Sequence, residues 1–151
     1  MTSLAKTTLQ KAISQLGVEE IPRGSNAGAA VEKYLKSVGL GKGYSWCMAF
    51  VYWCTKEAST QLGILNPLSK TAGVLDMFNK EVDLRVKTPQ PGDIFIMDYG
   101  KGMGHAGVVE KVVGTTLHTI EGNTNDEGSR EGFEVCRRTR KIKTIRGFLR
   151  L

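Results

Sequence analysis

The sequence holds three cysteines and two histidines, the side chains best suited to nucleophilic chemistry near neutral pH. Cysteine attacks a carbonyl carbon as the thiolate, and a positioned histidine usually takes its proton. Cys47 lies in "YSWCMAFVYWC", where the pattern predicts a helix that begins near Trp46, with Ser45 as its cap. Free N–H groups and the dipole at a helix N-terminus stabilise a thiolate. Cys47 is therefore the candidate nucleophile.

One of the two histidines is better placed to serve as the base. His105 opens the predicted strand "HAGVVEKVV" directly after the turn "GKGMG", where a side chain can point into a cleft. His118 lies inside "TTLHTIE", on the face opposite Glu121, and is expected to be a solvent-facing or satisfied strand residue. Cys54, two turns into the predicted helix, and Cys136, among arginines, are expected to be structural.

A histidine base also needs an acceptor for its second ring nitrogen. Glu121 and Asn123 are two residues apart in "IEGN", so a continuing strand projects both from one face. A carboxylate stabilises an imidazolium more than an amide does, because the hydrogen bond is charge-assisted. This favours Glu121 as the partner of His105, and leaves Asn123 to order the cleft or contact substrate.

The elements that must position these residues are helices in the first part of the chain and strands in the second. Apolar spacing predicts helices near residues 9–16, 31–38, 46–61 and 72–79. After "PQPGD" come short segments rich in β-branched residues and separated by turns. This order predicts an α+β fold in which N-terminal helices pack on a mostly antiparallel sheet of about five strands. A length of 151 residues suits one catalytic domain, 1–151.

The charge balance favours an anionic partner. The chain carries 21 Lys and Arg against 15 Asp and Glu, a net charge of +6. The basic run "RRTRKIKTIR" is expected to be the solvated face of a strand pair. No nucleic-acid-binding motif accompanies it, so the expected anionic partner is not nucleic acid.

Targeting and cofactor signals are weak or missing in the sequence. No apolar run approaches the roughly 20 residues of a membrane span, so stable membrane insertion is not expected. The N-terminal residues lack the pattern of a secretory signal, so we expect synthesis in the cytoplasm and action elsewhere after release or export. A zinc site built from the three cysteines and His105 lacks the paired short spacings of such sites, and no metal or cofactor is expected.

Taken together, the motifs resemble those of the CHAP domains (cysteine, histidine-dependent amidohydrolases/peptidases), relatives of the NlpC-type cell-wall peptidases with a papain-like fold. The matching stretches are "WCMAFVYWC", "PGDIFIM", "GHAGVVE", "IEGN" and "RGFLRL". The resemblance implies a small phage endolysin-like hydrolase of peptidoglycan, with Cys47 as nucleophile and His105 as base. Glu121 and Asn123 would be the polar partners, and the papain-like analogy favours the amide as the orienting group.

The resemblance also defines a cleft and its limits. Tyr44 and Trp46 are candidates to line the substrate cleft, with membership of the core as the alternative for each. Some CHAP domains carry an aspartate-rich calcium loop before the cysteine, but "GLGKGYSW" contains no acid, so no calcium is expected there.

Three other functions remain open from the sequence. The chain is alternatively a wall-binding or structural phage protein with an inactive site, a toxin effector with an immunity protein as partner, or a protease of ordinary proteins. Whether a wall hydrolase of this type is an amidase or an endopeptidase also stays open.

Overall fold

Four helices form the N-terminal half of the molecule. The structure, a computed structural model, describes residues 1–123 and 132–151. Its helices are α1 (Ser3–Ser14), α2 (Ala29–Ser37), α3 (Cys47–Leu62) and α4 (Val74–Lys80). Each lies where apolar spacing predicts a helix. The expected cap of α3 is wrong, because Trp46 and not Ser45 occupies the N-cap position.

The C-terminal half forms a six-stranded sheet. Its strands are β1 (Arg85–Val86), β2 (Ile94–Gly100), β3 (Met103–Val113), β4 (Thr116–Glu121), β5 (Cys136–Lys141) and β6 (Gly147–Leu149). They lie in the order β1-β6-β2-β3-β4-β5, and every pairing is antiparallel. The predicted α+β class with an antiparallel sheet is confirmed. The extra strand, β1, is too short to have left an alternating pattern in the sequence.

Side-chain alternation divides the strands between two apolar clusters. The larger cluster joins the helices to strand residues such as Ile94, Ile96 and Ile120. The smaller one contains the alternate residues Phe95, Met97, Val109, Leu117 and Phe148. His105 pairs with Met97 across β2 and β3, and Glu121 lies four residues after Leu117 on β4 and so shares its face. Alternation therefore places His105 and Glu121 on the same face of two neighbouring strands.

A buried ion pair joins the beginning and the end of the sheet. Asp93, which precedes β2 and is almost fully buried, accepts two hydrogen bonds from the guanidinium of Arg150, at 2.9 and 2.8 Å. The same carboxylate accepts the N–H of Gln90, and Arg150 also donates to the carbonyl of Thr88. The motifs "PGDIFIM" and "RGFLRL" therefore meet in space and fix the C-terminus beside β2.

Helix α3 is deeply buried, with 11 of its 16 residues in the interior. Its apolar side chains face both the other helices and the sheet, and Phe50, Val51 and Cys54 are fully buried. Within residues 1–123 and 132–151, no helix has both the length and the apolar content needed to cross a membrane.

Candidate active site

Cys47 is the first residue of α3 and is only 6% exposed. The first intrahelical hydrogen bond runs from the N–H of Phe50 to the carbonyl of Trp46, at 2.8 Å. The N–H groups of Cys47, Met48 and Ala49 come before it, so they have no acceptor within the helix. The Cys47 thiol thus lies where N–H dipoles concentrate positive potential.

His105 connects the thiol to a buried carboxylate. Its Nε2 lies 2.8 Å from Oε1 of Glu121, and the Cys47 thiol lies close enough to the ring to act on its protonation. Because Nε2 is engaged by Glu121, the nitrogen left for the thiol is Nδ1. Burial disfavours the charged imidazole, but its interactions with Cys47 and Glu121 outweigh burial and raise the pKa of His105 to about 9.

Glu121 is fully buried and surrounded by donors. Oε1 accepts from His105 and from Nη2 of Arg140 at 2.6 Å, and Oε2 accepts from Nε of Arg140 at 2.9 Å and from the Thr119 hydroxyl at 2.6 Å. Burial alone would raise the pKa of this carboxyl, but the hydrogen bonds from Arg140 and His105 lower it to about 2. Glu121 is therefore a carboxylate at any pH near neutral.

Asn123 points its amide at backbone groups. In the orientation that satisfies both of its ends, its oxygen accepts the N–H of Trp46 at 2.9 Å and its nitrogen donates to the carbonyl of Gly132 at 2.8 Å. The residue is buried and its φ of 47° is left-handed, which asparagine tolerates better than most residues. Asn123 thus ties the end of β4 to the start of α3.

Trp46 belongs to the core and does not line the cleft, so of its two expected positions the structure shows the second. Its ring is fully buried against Tyr34 and Phe50, and its indole N–H donates to the buried carboxylate of Glu20 at 2.7 Å. Gly122 gives it room, since a Cβ at that position would lie 2.6 Å from the Trp46 ring. Tyr44, in contrast, is 55% exposed and remains a cleft candidate.

The other histidine and cysteines lie in different surroundings. His118 is partly exposed and lies across from Thr139 of β5, in a surface groove shared with Arg137. Cys54 is fully buried, and burial raises the pKa of its thiol well above the ordinary value. Cys136 is half-buried opposite Glu121 on β5, and burial also raises the pKa of its thiol.

Arg140 is the site residue that the sequence did not reveal. The basic run was expected to be solvated, but the Arg140 side chain is only 10% exposed because it is bound to Glu121. Strand alternation could have indicated that Arg140 lies on the less exposed face of β5. That face holds Cys136, Arg138 and Arg140, whereas the other face is exposed and holds Arg137, Thr139 and Lys141. What alternation could not supply is the pairing of β5 with β4, which turns that face toward Glu121.

The described part of the chain brings no three His, Cys, Asp or Glu side chains close enough together to hold a metal ion. The groups that contact one another at this site are a thiol, an imidazole, a carboxylate and a guanidinium. This set can transfer protons and present a nucleophile without leaving any of its members unpaired.

Comparisons with known proteins place this site in a family. The model of the CHAP domain matches residues 39–123, which is more than half of the chain and includes Cys47, His105, Glu121 and Asn123. A comparison with curated protein sequences gives no match.

Two solved structures share the fold. The crystal structure of Ly7917 aligns with a TM-score of 0.57 at 16% identity, covering 97% of this chain and 61% of that one. The structure of Ly7917 with the hydrolyzing product of MDP aligns with a TM-score of 0.55 at 18% identity, covering 97% and 62%. This chain therefore spans about three fifths of the length of those proteins. The family match and the shared fold lead to one conclusion: the chain belongs to the CHAP domain family.

Proposed function

We propose that this chain is a peptidoglycan hydrolase that cleaves an amide bond with Cys47 as its nucleophile. The observation that carries the proposal is the continuous set of contacts from Cys47 at the start of α3, through His105, to the buried carboxylate of Glu121. A nucleophile beside a base that is hydrogen-bonded to an orienting acid is the geometry of covalent acyl transfer.

The two charged partners of the site explain how the thiol is activated. Glu121 holds a negative charge beside Nε2 of His105, so the imidazole keeps a proton there and can also hold the proton of Cys47 on Nδ1. The resulting imidazolium and the helix N-terminus both stabilise a negative charge on the sulfur. The reactive form is therefore a thiolate–imidazolium pair.

The reaction then proceeds in two acyl-transfer steps. The Cys47 sulfur attacks the amide carbonyl carbon, and the C–N bond breaks as His105 passes its Nδ1 proton to the leaving amine. Water gives a proton to Nδ1 of the now neutral His105 and attacks the thioester carbon. The C–S bond then breaks, which releases the carboxylic acid product and restores the thiolate–imidazolium pair. Glu121 keeps Nε2 protonated throughout both steps.

The start of α3 supplies the natural place for the oxyanion. The backbone N–H of Cys47 has no acceptor within the helix and adjoins the attacking sulfur, so it is the proposed donor to the developing oxyanion. The roles of Asn123 and Trp46 are to hold this end of the helix, through the hydrogen bond between them and the packing of the buried ring.

The substrate class is supported by the family and by the net charge. One Ly7917 structure is titled with the hydrolyzing product of MDP, which supports a cell-wall substrate for a chain of the same fold. A net charge of +6 favours attraction to anionic cell walls. The bond cut is an amide of the stem peptide or the cross-bridge, and product analysis distinguishes the two.

The test is digestion of purified cell walls followed by mass spectrometry of the released fragments. We expect wild-type protein to release fragments with new amine termini, and Cys47→Ala to release none while remaining folded. A new L-alanine terminus would identify an amidase, and a terminus within the stem or the cross-bridge an endopeptidase. Binding of walls without any product would contradict the proposal and favour a wall-binding protein. Equal activity of Cys47→Ala would contradict the role of Cys47 as nucleophile.

A further inference from the structure

We propose that Arg140 is a positioning residue, which fixes the carboxylate of Glu121 and through it the proton arrangement and titration of His105. This inference rests on the proposed function, in which His105 serves Cys47. In the contacts described above, Arg140 reaches the site through its two hydrogen bonds to Glu121.

The acceptor sites of the Glu121 carboxylate are all occupied by hydrogen-bond donors. An ionised carboxylate offers about four lone-pair directions. Glu121 receives four donors: two from the fork of Arg140, one from Thr119 and one from His105. The two parallel bonds from Arg140 are the bidentate geometry that a guanidinium makes and an ammonium group cannot.

The saturated carboxylate determines which nitrogen of His105 carries the resident proton. Since Glu121 can only accept, Nε2 of His105 must donate, and Nδ1 is the nitrogen free to exchange a proton with Cys47. If Glu121 could be protonated, it would donate to Nε2 instead. The neutral imidazole would then hold its proton on Nδ1 and could not accept another from the thiol. By binding both oxygens, Arg140 disfavours that arrangement.

The charge of Arg140 has a second consequence for His105, with a definite sign. The guanidinium binds the same oxygen of Glu121 as the imidazole does, so the two cations share one anion. Like charges at this distance disfavour each other, and removing the arginine charge makes the imidazolium easier to keep. Loss of the Arg140 charge should therefore move the deprotonation of His105 to higher pH.

Of the described titratable groups around His105, Arg140 is the one that can shift the pKa of His105 through Glu121. The described titratable groups that act on its protonation are Cys47 from α3 and Glu121 from β4. Strand β2 faces it with Phe95 and Met97, which do not titrate. Helix α4 packs on β3, but its charged residues Asp76 and Lys80 form an exposed ion pair. On β5, behind Glu121, lie Cys136, Arg138 and Arg140.

The experiment compares Arg140→Gln with Arg140→Lys. The first substitution removes the charge and the fork, and the second keeps the charge but loses the fork. Two readouts are measured against pH: the ¹⁵N and ¹H shifts of the His105 ring, and the rate at which iodoacetamide alkylates Cys47. Arg150→Gln is the matched control, because Arg150 makes the same forked contact with buried Asp93 away from His105.

We expect Arg140→Gln to raise the pKa of His105 by about one unit. It should also slow Cys47 alkylation at pH 7 by about tenfold, because Glu121 without the arginine fork no longer holds the imidazole in its orientation toward the thiol. Arg140→Lys should leave the pKa near that of wild type but still slow alkylation, and Arg150→Gln should change neither. If Arg140→Gln does not fold, the lysine variant decides alone: slowed alkylation supports the inference. An unmoved His105 titration in a folded Arg140→Gln, or wild-type alkylation in Arg140→Lys, would overturn it.

These readouts need no wall substrate, so they separate two kinds of failure. Wild-type protein that releases no wall fragments while His105 shifts as described would contradict the proposed function alone. Wild-type protein that digests walls while both arginine variants behave as wild type would contradict the role of Arg140 alone.

Discussion

Glu121 and Asp93 are both buried carboxylates that accept a forked arginine, but their remaining partners differ. Asp93 is completed by the backbone N–H of Gln90, and its Arg150 goes on to bind the carbonyl of Thr88. Glu121 is completed by the Thr119 hydroxyl and by the ring of His105. The first pair therefore connects chain segments, whereas the second ends at a group that can gain and lose a proton.

The comparison teaches that the forked ion pair alone does not mark an active site. Both acids lie in stretches that resemble the CHAP domains, "PGDIFIM" and "IEGN". Only Glu121, which contacts His105, has an effect on proton transfer. Removal of Arg140 should therefore lower the reaction rate as well as the stability of the fold. Removal of Arg150, the partner of Asp93, should lower stability alone.

The largest expected effect comes from the residue that distinguishes the two pairs. His105→Ala should reduce wall hydrolysis by about 10² to 10⁴-fold, the usual contribution of a general base. His118→Ala is the control, since His118 lies in a surface groove beside Arg137. Turbidity of wall suspensions measures both. A folded His118→Ala protein without activity would reverse the assignment of the base.

The next largest effect is expected when Glu121 and Asp93 are each replaced by the isosteric amide and the two variants are compared. Glu121→Gln should lower the hydrolysis rate by about 10- to 100-fold. It should also move the alkaline limb of the pH profile to lower pH, since His105, whose pKa is raised to about 9, loses its anionic partner and gives up its proton more readily. Asp93→Asn should destabilise the fold by on the order of 2 kcal/mol and leave the limb in place.

The same experiment tests the roles of the two polar partners of the sequence motif. Asn123→Ala, which removes the hydrogen bond to the Trp46 N–H, should lower the rate without moving the histidine limb. If the limb moves in Asn123→Ala and stays in Glu121→Gln, the amide and not the acid orients His105.

Much of this arrangement was predictable from the sequence, for physical reasons. Helix α3 and the strands carry periodic apolar patterns, so their existence and order follow from local residue types. The contact of Glu121 with Arg140 does not, because it depends on the register of β4 against β5. The basic character of "RRTRKIKTIR" suggested solvation, and only the pairing shows that one of its arginines is buried.

The burial of Trp46 was equally hidden from the sequence. Tyr44, two residues earlier, is exposed, whereas Trp46 is buried. Their closeness in the sequence therefore did not predict this difference in exposure. The partner that explains the burial is Glu20, a residue 26 positions earlier, whose carboxylate accepts the indole N–H. Contacts at such separations require the assembled fold.

A smaller effect is expected at Gly122, the residue that follows Glu121 and packs against the core. Gly122→Ala would place a Cβ 2.6 Å from the Trp46 ring, and overpacking of this kind costs about 1–3 kcal/mol. Displacement of Trp46 should also lower activity, since this residue precedes Cys47. Gly41→Ala is the control, because its Cβ would meet no described atom within 4 Å. Equal melting temperatures for the two variants would contradict the close packing.

The smallest effect concerns the cations outside the two pairs. Arg140 and Arg150 are committed to carboxylates, so attraction to walls depends on exposed groups such as Lys87 and Lys143. Binding to walls should weaken as salt rises, since the screening length falls to about 10 Å at 0.1 M. Pelleting with walls across ionic strength measures this. Binding that stays flat would mean that the basic surface does not recognise the wall.

The central claim is that Cys47 alone among the cysteines is activated, by contact with the His105–Glu121–Arg140 set at the start of α3. Its most direct test is alkylation with sub-stoichiometric iodoacetamide near neutral pH, followed by peptide mapping. We predict that Cys47 is modified first in the wild-type protein and loses this advantage in His105→Ala. Modification of Cys54 or Cys136 as fast as Cys47 in the folded wild-type protein would contradict the account.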